Sequence, residues 1–343
     1  MSGSSRAVDP ADMAVGGSIP SSFGVVAIGR NEGERLRRCL DSVRSRAAAL
    51  VYVDSGSTDG SVELARSFGA AVVALDMSRP FTAARARNEG FRRLAEFKPA
   101  PALVQFVDGD CEVCDGWLEA GRAFLDAHAE VAAVCGRNRE RFPERSIYNR
   151  LADMEWDTPA GETRACGGNA MMRAAAFAQA DGFREDLIAG EEPELCVRLR
   201  ALGWHVWRLE AEMTLHDSAM TRFSQWWRRS MRAGYAFAEG AHLHGLPPER
   251  HWVRETRSAR FWAGAVPMLV LAGVFAFGPV AAWALLVYPL QVLRLTLKGS
   301  GRLALRALRA LFLVLGKFPE ALGQLKFLAL QASGRRARLI EYK

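Results

Sequence analysis

Cysteine is scarce, with six residues in a chain of 343. That excludes a disulfide scaffold. Cys39, Cys135, Cys166 and Cys196 each stand alone in apolar or helical surroundings and read as reduced core thiols, which suits a reducing compartment. Cys111 and Cys114 form a C-x-x-C with no second pair nearby, so neither a zinc site nor a redox motif is expected there. Residues 1–20 lack the apolar stretch of a secretory signal and are expected to form a flexible tail. The glycine-rich P-loop with its terminal Lys-Ser/Thr is missing, which leaves P-loop hydrolysis unsupported. A strong excess of one charge is missing too: 45 Lys and Arg face 38 Asp and Glu, a net charge of +7. Where the basic residues sit must therefore say what they meet.

Charge is absent altogether from Phe261 to Leu293. As one helix that run would be roughly 50 Å long, against a hydrocarbon core of about 30 Å. Gly278-Pro279 interrupts it near the middle. Arg254, Arg257 and Arg260 precede it, and Arg294, Lys298 and Arg302 follow it. Positive charge on both flanks suggests that both ends are cytoplasmic, so a hydrophobic hairpin or re-entrant pair over 261–297 is expected, with one long kinked helix as the alternative. Its arms, about 17 and 15 residues, are slightly short for a bilayer. Residues 302–331 read as two amphipathic interfacial helices. In the first, Arg302, Arg306 and Arg309 oppose Leu305, Leu308, Phe312 and Leu315, and Lys317-Phe318-Pro319 breaks the run. The basic excess is thereby assigned to membrane lipids and not to nucleic acid. A soluble helical bundle is the rival reading of this region.

What the first part does contain is alternation. Short apolar runs (Phe23–Ile28, Leu50–Val53, Ala71–Leu75, Leu103–Val107) alternate with amphipathic stretches (Glu34–Ala48, Ser61–Phe68, Phe81–Phe97). Such spacing predicts a parallel sheet covered on both faces. Ligands in such sheets bind beyond the carboxyl ends of the strands. That rule selects the loops Gly29–Gly33, Asp54–Gly60 and Asp108–Asp110. From about Val131 the pattern turns irregular, with helices predicted over Glu192–Leu202 and Phe223–Glu239 and a strand over Trp204–Leu209.

Asp108-Gly109-Asp110 closes a predicted strand. With a turn at the glycine, its two carboxylates can share one divalent cation or divide between a metal and a sugar hydroxyl; an ordinary turn is the equal alternative. Asp54 ends the second strand, where a carboxylate can accept from a base N–H or a ribose hydroxyl. Ser57, Thr58 and Asp59 read as caps of the next helix.

AIGRNEGERLRRCLDSV, VDSGSTDGS, ARNEGF, VDGD, GGNAMMR, DGF and GEEPELCVRLRALGW occur in that order. The ordered set resembles an inverting family 2 glycosyltransferase of the GT-A fold, of the membrane-associated bacterial type, over roughly 22–240. The resemblance implies an α/β architecture, Rossmann-like, with a mostly parallel sheet and helices on both faces. A C-terminal helical membrane region follows. The implied division is a tail over 1–20, a catalytic domain over 21–245 and a membrane region over 246–343.

Residue by residue, the resemblance places Asn31, Glu32, Asp54, Arg85, Asn88, Asp108 and Gly168 around a nucleotide sugar, UDP-linked by default. For Arg85 and Arg87 a solvated helix face is an equal alternative to contact with the diphosphate. It implies Mg2+ or Mn2+ held by Asp108, Asp110 and His216, although a lone histidine is more often structural. Glu191-Glu192 matches a Glu-Asp pair whose second member is usually the base. Glu stands at 192 where Asp is common, so Glu191, Glu192 and Glu194 stay open as the base. Gln225, Trp226, Trp227 and Arg228 loosely match a helix on the acceptor or diphosphate side, with a lipid-facing helix as alternative.

The expected activity is transfer of a sugar to a lipid-linked or glycan acceptor hydroxyl at the inner membrane, on its cytoplasmic face, in surface-glycan or exopolysaccharide assembly. The rivals are a processive polysaccharide synthase, a sugar-phosphate nucleotidyltransferase and a catalytically silent membrane-bound nucleotide-binding scaffold. The nucleotidyltransferase would need a Gly-rich, Arg-containing N-terminal loop that this sequence lacks.

Overall fold

The apolar runs become strands that have lost both faces to other elements. β1 (Phe23–Gly29) is buried at every position but its last, β2 (Ala49–Asp54) at all positions, and β4 (Leu103–Asp108) at all but Asp108. A strand buried at consecutive positions must be covered on both sides. The computed structural model describes residues 21–334, so the tail expected over 1–20 lies outside the described residues. α1 (Glu34–Val43) presents Leu36, Cys39, Leu40 and Val43 to the core and stops short of the expected Ala48, because β2 already begins at Ala49. α2 (Ser61–Ser67), β3 (Ala71–Ala74) and α3 (Ala83–Ala95) complete the first layers.

The sheet runs β3-β2-β1-β4-β8-β6-β9-β5, with β7 (Gly161–Glu162) paired to β9. The first four strands are parallel. Beyond them the sheet is mixed. β8 (Ala170–Arg173) is antiparallel to β4 and to β6 (Val131–Glu140), β6 is parallel to β9 (His205–His216), and β5 (Cys111–Val113) is antiparallel to β9. The region read as irregular after Val131 is therefore ordered. β9 extends past the expected Leu209 to His216, and shifts in the β6–β9 register break the alternation that would have announced it. α4 (Trp117–Ala127), α5 (Ile147–Glu155), α6 (Ala174–Gln179) and α7 (Glu191–Ala201) connect these strands.

α8 (Phe223–His244) leads to the C-terminal part, where α9 (Val253–Arg260) continues through a wide turn into α10 (Val266–Phe277). Val253–Phe277 and Pro279–Lys298 are two helices of 25 and 20 residues, long and apolar enough to cross a membrane. They exceed the expected arm lengths because the first starts within the arginine-bearing turns before Phe261 and the second runs on through Arg294 to Lys298. α11 (Val287–Lys298) forms the second half of the return arm, and its Tyr288 Oη donates to Trp262 O at 2.6 Å across the hairpin. Met268, Leu269, Phe275, Phe277 and Trp283 are exposed along these arms.

α12 (Leu303–Leu315) and α13 (Lys317–Ala332) form the pair of helices expected over 302–331, with Leu303, Leu311, Leu322, Leu325 and Leu328 exposed. Both dock on the preceding domain. A Cβ on Gly234 of α8 would sit 2.0 Å from Glu320 O, and one on Gly323 of α13 would sit 2.0 Å from Met231 O, so the two helices touch backbone to backbone. Phe312 of α12 packs edge-on against Trp226, with ring centroids 4.8 Å apart.

Candidate active site

Register levels the three strand ends picked out by the loop chemistry. Gly29 lies opposite Asp54 and Ile28 opposite Asp108. A cleft of about 670 Å³ opens beyond them. Its floor is Gly29, Arg30, Glu32, Ser55 and Asp108–Asp110; Gly168, Glu191, Glu192 and His216 form one wall, and Arg229, Arg232 and Trp252 close the other. A second cavity, about 320 Å³ among Arg254, Trp262, Gln291 and Lys317, holds a single acid, Glu255. The acids that chemistry would need are in the first.

One arginine organises that wall. Arg87, on α3, donates from Nη1 to Glu191 Oε1 and from Nη2 to Asp108 Oδ1, both at 2.7 Å. It is buried and so is not part of a solvated helix face. Burial alone would push the Glu191 carboxyl up; the guanidinium groups of Arg87 and Arg232 overcome this and hold it below the usual range. Gly168 leaves room for the bridge, since a Cβ there would lie 2.5 Å from Arg87 Nη2. Asn169 fixes the other side of the turn, its Oδ1 accepting from the Asp108 amide at 2.9 Å.

β5–β9 pairing sets Cys111 against His216 and so brings His216 to Asp110. His216 Nε2 lies 3.3 Å from Asp110 Oδ2, and Nδ1 is buried without a hydrogen bond, 3.9 Å from Glu140 Oε2. Burial, above all other influences, holds the imidazole below its ordinary pKa and hence neutral. A neutral imidazole beside a carboxylate can donate to a divalent ion, and ligand atoms of Asp110, Cys111 and His216 lie within 4.8 Å of one another.

The three candidate bases separate. Glu194 is tied to Arg198 at 2.7 Å and to His244 at 3.0 Å and does not line the cleft, which removes it as base. Glu191 is held by Arg87. Glu192 lines the cleft; its Oε1 accepts from the Cys166 amide at 2.5 Å and from Cys196 Sγ at 3.0 Å. Its Oε2 makes no hydrogen bond among the described residues.

Several residues expected around a nucleotide sugar have partners within the protein. Asp54 Oδ2 accepts from the amides of Gly56 and Ser57 at 3.0 and 2.9 Å, so it shapes its own loop, and the adjacent Ser55 reaches the cleft instead. Asn31 Oδ1 accepts from the Thr58 amide at 2.7 Å, clamping the first loop to the second. Asn88 grips Phe183 by its amide and its carbonyl. Arg85 is buried and donates to Asp76 O at 2.7 Å, so it is neither solvated nor on the cleft wall. On α8 none of the four residues singled out by the sequence lines the cleft. Gln225 caps the helix start by accepting from the Thr221 and Arg222 amides, Trp226 is buried against Phe312, Trp227 packs on Phe223, and Arg228 is exposed. Arg229, Arg232, Ala233 and Ala236 face the cleft. Their spacing is helical, and that period was the available signal.

A family model, glycosyl transferase family 2, matches residues 25–180. Those residues resemble a family 2 glycosyltransferase domain. Glycosyltransferase AglE of Haloferax volcanii is 33% identical over 99 residues, covering 26% of this chain and 31% of that protein. The chain thus matches less than a third of that relative's length. Among solved structures, mannosyltransferase PcManGT from Pyrobaculum calidifontis, in complex with GDP-Man and Mn2+, has a TM-score of 0.57 at 20% identity, covering 92% of this chain and 90% of that one. TarS 1-349 from S. aureus, in complex with UDP-GlcNAc, has a TM-score of 0.46 at 14% identity over 92% and 93% of the two chains. The first of these likenesses shows the fold, which is GT-A.

Proposed function

We propose that the chain is a metal-dependent inverting glycosyltransferase that moves a sugar from a nucleotide-diphosphate donor to a lipid-linked or glycan acceptor hydroxyl. The observation that carries this reading is the convergence of Asp108, Asp110, His216, Glu191 and Glu192 on one cleft at the ends of β1 and β4. Asp110 and His216, with Asp108 beside them, would hold Mg2+ or Mn2+. Such an ion offsets the charge that a departing diphosphate develops. PcManGT, solved with GDP-Man and Mn2+, supports both the donor class and the ion. UDP is the default base.

Arg87 holds Asp108 and Glu191 in place and helps to keep Glu191 ionised. Glu192 is the base, because its second oxygen makes no bond and the residue lines the cleft. It takes the acceptor hydroxyl's proton as that oxygen attacks the anomeric carbon opposite the diphosphate. Arg229 and Arg232 stand where a pyrophosphate would be met. Residues 21–245 form the catalytic domain in this reading. Residues 246–343 hold it to the cytoplasmic face of a membrane through the two apolar helices, which suits an acceptor confined to that surface. Two spans among the described residues are too few to line a channel, which weighs against a processive synthase.

The test is sugar transfer by the full chain with UDP- and GDP-linked donors and Mn2+, in wild type and Glu192→Gln. The variant is expected to lose about 10²–10⁴-fold in rate while still binding donor. Undiminished transfer by Glu192→Gln removes the base. Absence of metal-stimulated transfer or donor hydrolysis from every donor favours the silent scaffold.

A further inference from the structure

The fold gathers cysteines that stand far apart in sequence. Cys166, in the loop before β8, and Cys196, on α7, hold their sulfurs 3.7 Å apart. One ligand atom from each of Cys166, Glu192 and Cys196 falls within 4.8 Å of the other two, and all three residues are buried. Cys135, buried on β6, is close enough to interact electrostatically with both thiols. Two sulfurs on one tetrahedral zinc ion, with Zn–S near 2.3 Å, stand roughly 3.8 Å apart. The observed pair already has that spacing, and Glu192 adds an oxygen beside it. Thiolates select soft ions, and this cluster offers two thiols where the group Asp110, Cys111 and His216 offers one. Glu192 lines the cleft, so an ion has a way in.

We propose that Cys166, Cys196 and Glu192 bind a thiophilic divalent ion, Zn2+ or Cd2+, and that the bound ion withdraws Glu192 from the acceptor. Both thiols release their protons to solvent on binding, so affinity rises with pH. Binding stands on the geometry alone; withdrawal of the base rests on the function proposed above.

The probe is Cd2+, titrated into the full chain in detergent micelles under a thiol-free reductant. The signal is the ultraviolet thiolate-to-cadmium charge-transfer band. The expected result is one tight equivalent, weakened by more than about tenfold in Cys166→Ser and in Cys196→Ser. Cys111→Ser, at the other cysteine near the cleft, is expected to leave it unchanged. X-ray absorption on the cadmium-loaded wild type needs no variant and should count two or three sulfur neighbours. A band that survives the double substitution, or a count of one sulfur or none, overturns the site. Two sulfurs together with undiminished sugar transfer would keep the site and overturn the withdrawal of Glu192. A protein with no transfer activity under any condition would still answer the binding question through the band and the sulfur count.

Discussion

Replacing Arg87 with methionine tests the charge arrangement of the cleft directly. Methionine fills much of the space of the arginine stem and removes the guanidinium. Asp108 and Glu191 then lose two hydrogen bonds of 2.7 Å and their shared counter-ion. Breaking a buried pair by deleting one partner costs about 3–5 kcal/mol. Most of that falls on Glu191, whose side chain is 11% exposed against 36% for Asp108. At about 2–4 °C per kcal/mol for a domain of this size, the melting temperature should drop by roughly 6–20 °C.

The pH dependence gives the sign. In the wild type Glu191 is held below its usual range against the pull of burial. A lowered acid adds stability above its unfolded pKa, and that stability is lost as pH falls through the folded value. Without Arg87, burial is no longer offset by its nearest cation, and protonation relieves the stranded charge. The gap between variant and wild type should therefore narrow from about pH 8 to about pH 5. Glu191→Gln added to Arg87→Met should recover about 0.5–3 kcal/mol relative to the additive sum. The assay is thermal and chemical unfolding of the detergent-solubilised chain. A variant melting within about 2 °C of wild type, a gap that does not change with pH, or strict additivity of the pair refutes the reasoning.

Gly234→Val should force α13 from α8, because even a Cβ would stand 2.0 Å from Glu320 O; a loss of at least about 1–3 kcal/mol and new proteolysis within 317–332 are expected, and an unchanged digest counts against the close crossing. Burial pushes Glu239, whose Oε2 has no hydrogen bond, up to about 7. A raised acid loses stability as pH rises through that value, so Glu239→Gln should raise the melting temperature at about pH 8 and leave it unchanged well below the unfolded pKa of about 4.3; equal effects at both refute this. His216→Ala should abolish the extra thermal stabilisation that Mn2+ adds to a nucleoside diphosphate while leaving any metal-independent nucleotide shift; a full Mn2+ effect in the variant removes His216 as ligand.

The parallel half of the fold was legible because its strands are buried on both faces and so read as unbroken apolar runs. The loops at their ends followed from the rule that places ligands beyond the carboxyl termini. The second half was less legible for a local reason. β6 and β9 pair with shifted register, and each shift moves the apolar positions to the other face. On α8 the adjacent tryptophans drew the assignment to Gln225–Arg228. Their bulk is what turns them away, since Trp226 gains more by packing on Phe312 than by standing in an open cleft.

Arg87 and the cysteine pair escaped a reading of local pattern because their meaning lies in partners distant along the chain. Arg87 stands 21 residues from Asp108 and 104 from Glu191. Cys166 and Cys196 are 30 apart. A helix segment such as ARARNEG shows two arginines with the spacing of a solvated face, and nothing local says that either is buried. What decides it is Gly168, far along the chain in the motif GGNAMMR, where the missing side chain leaves the space the guanidinium occupies. The acids that mark the family are therefore necessary to the site without being sufficient. Their charge is tolerated at close quarters because Arg87 reaches two of them and Arg232 adds its charge at Glu191, and substitutions at Arg87 or Gly168 should disturb the site as surely as substitutions in the Asp-Gly-Asp turn itself.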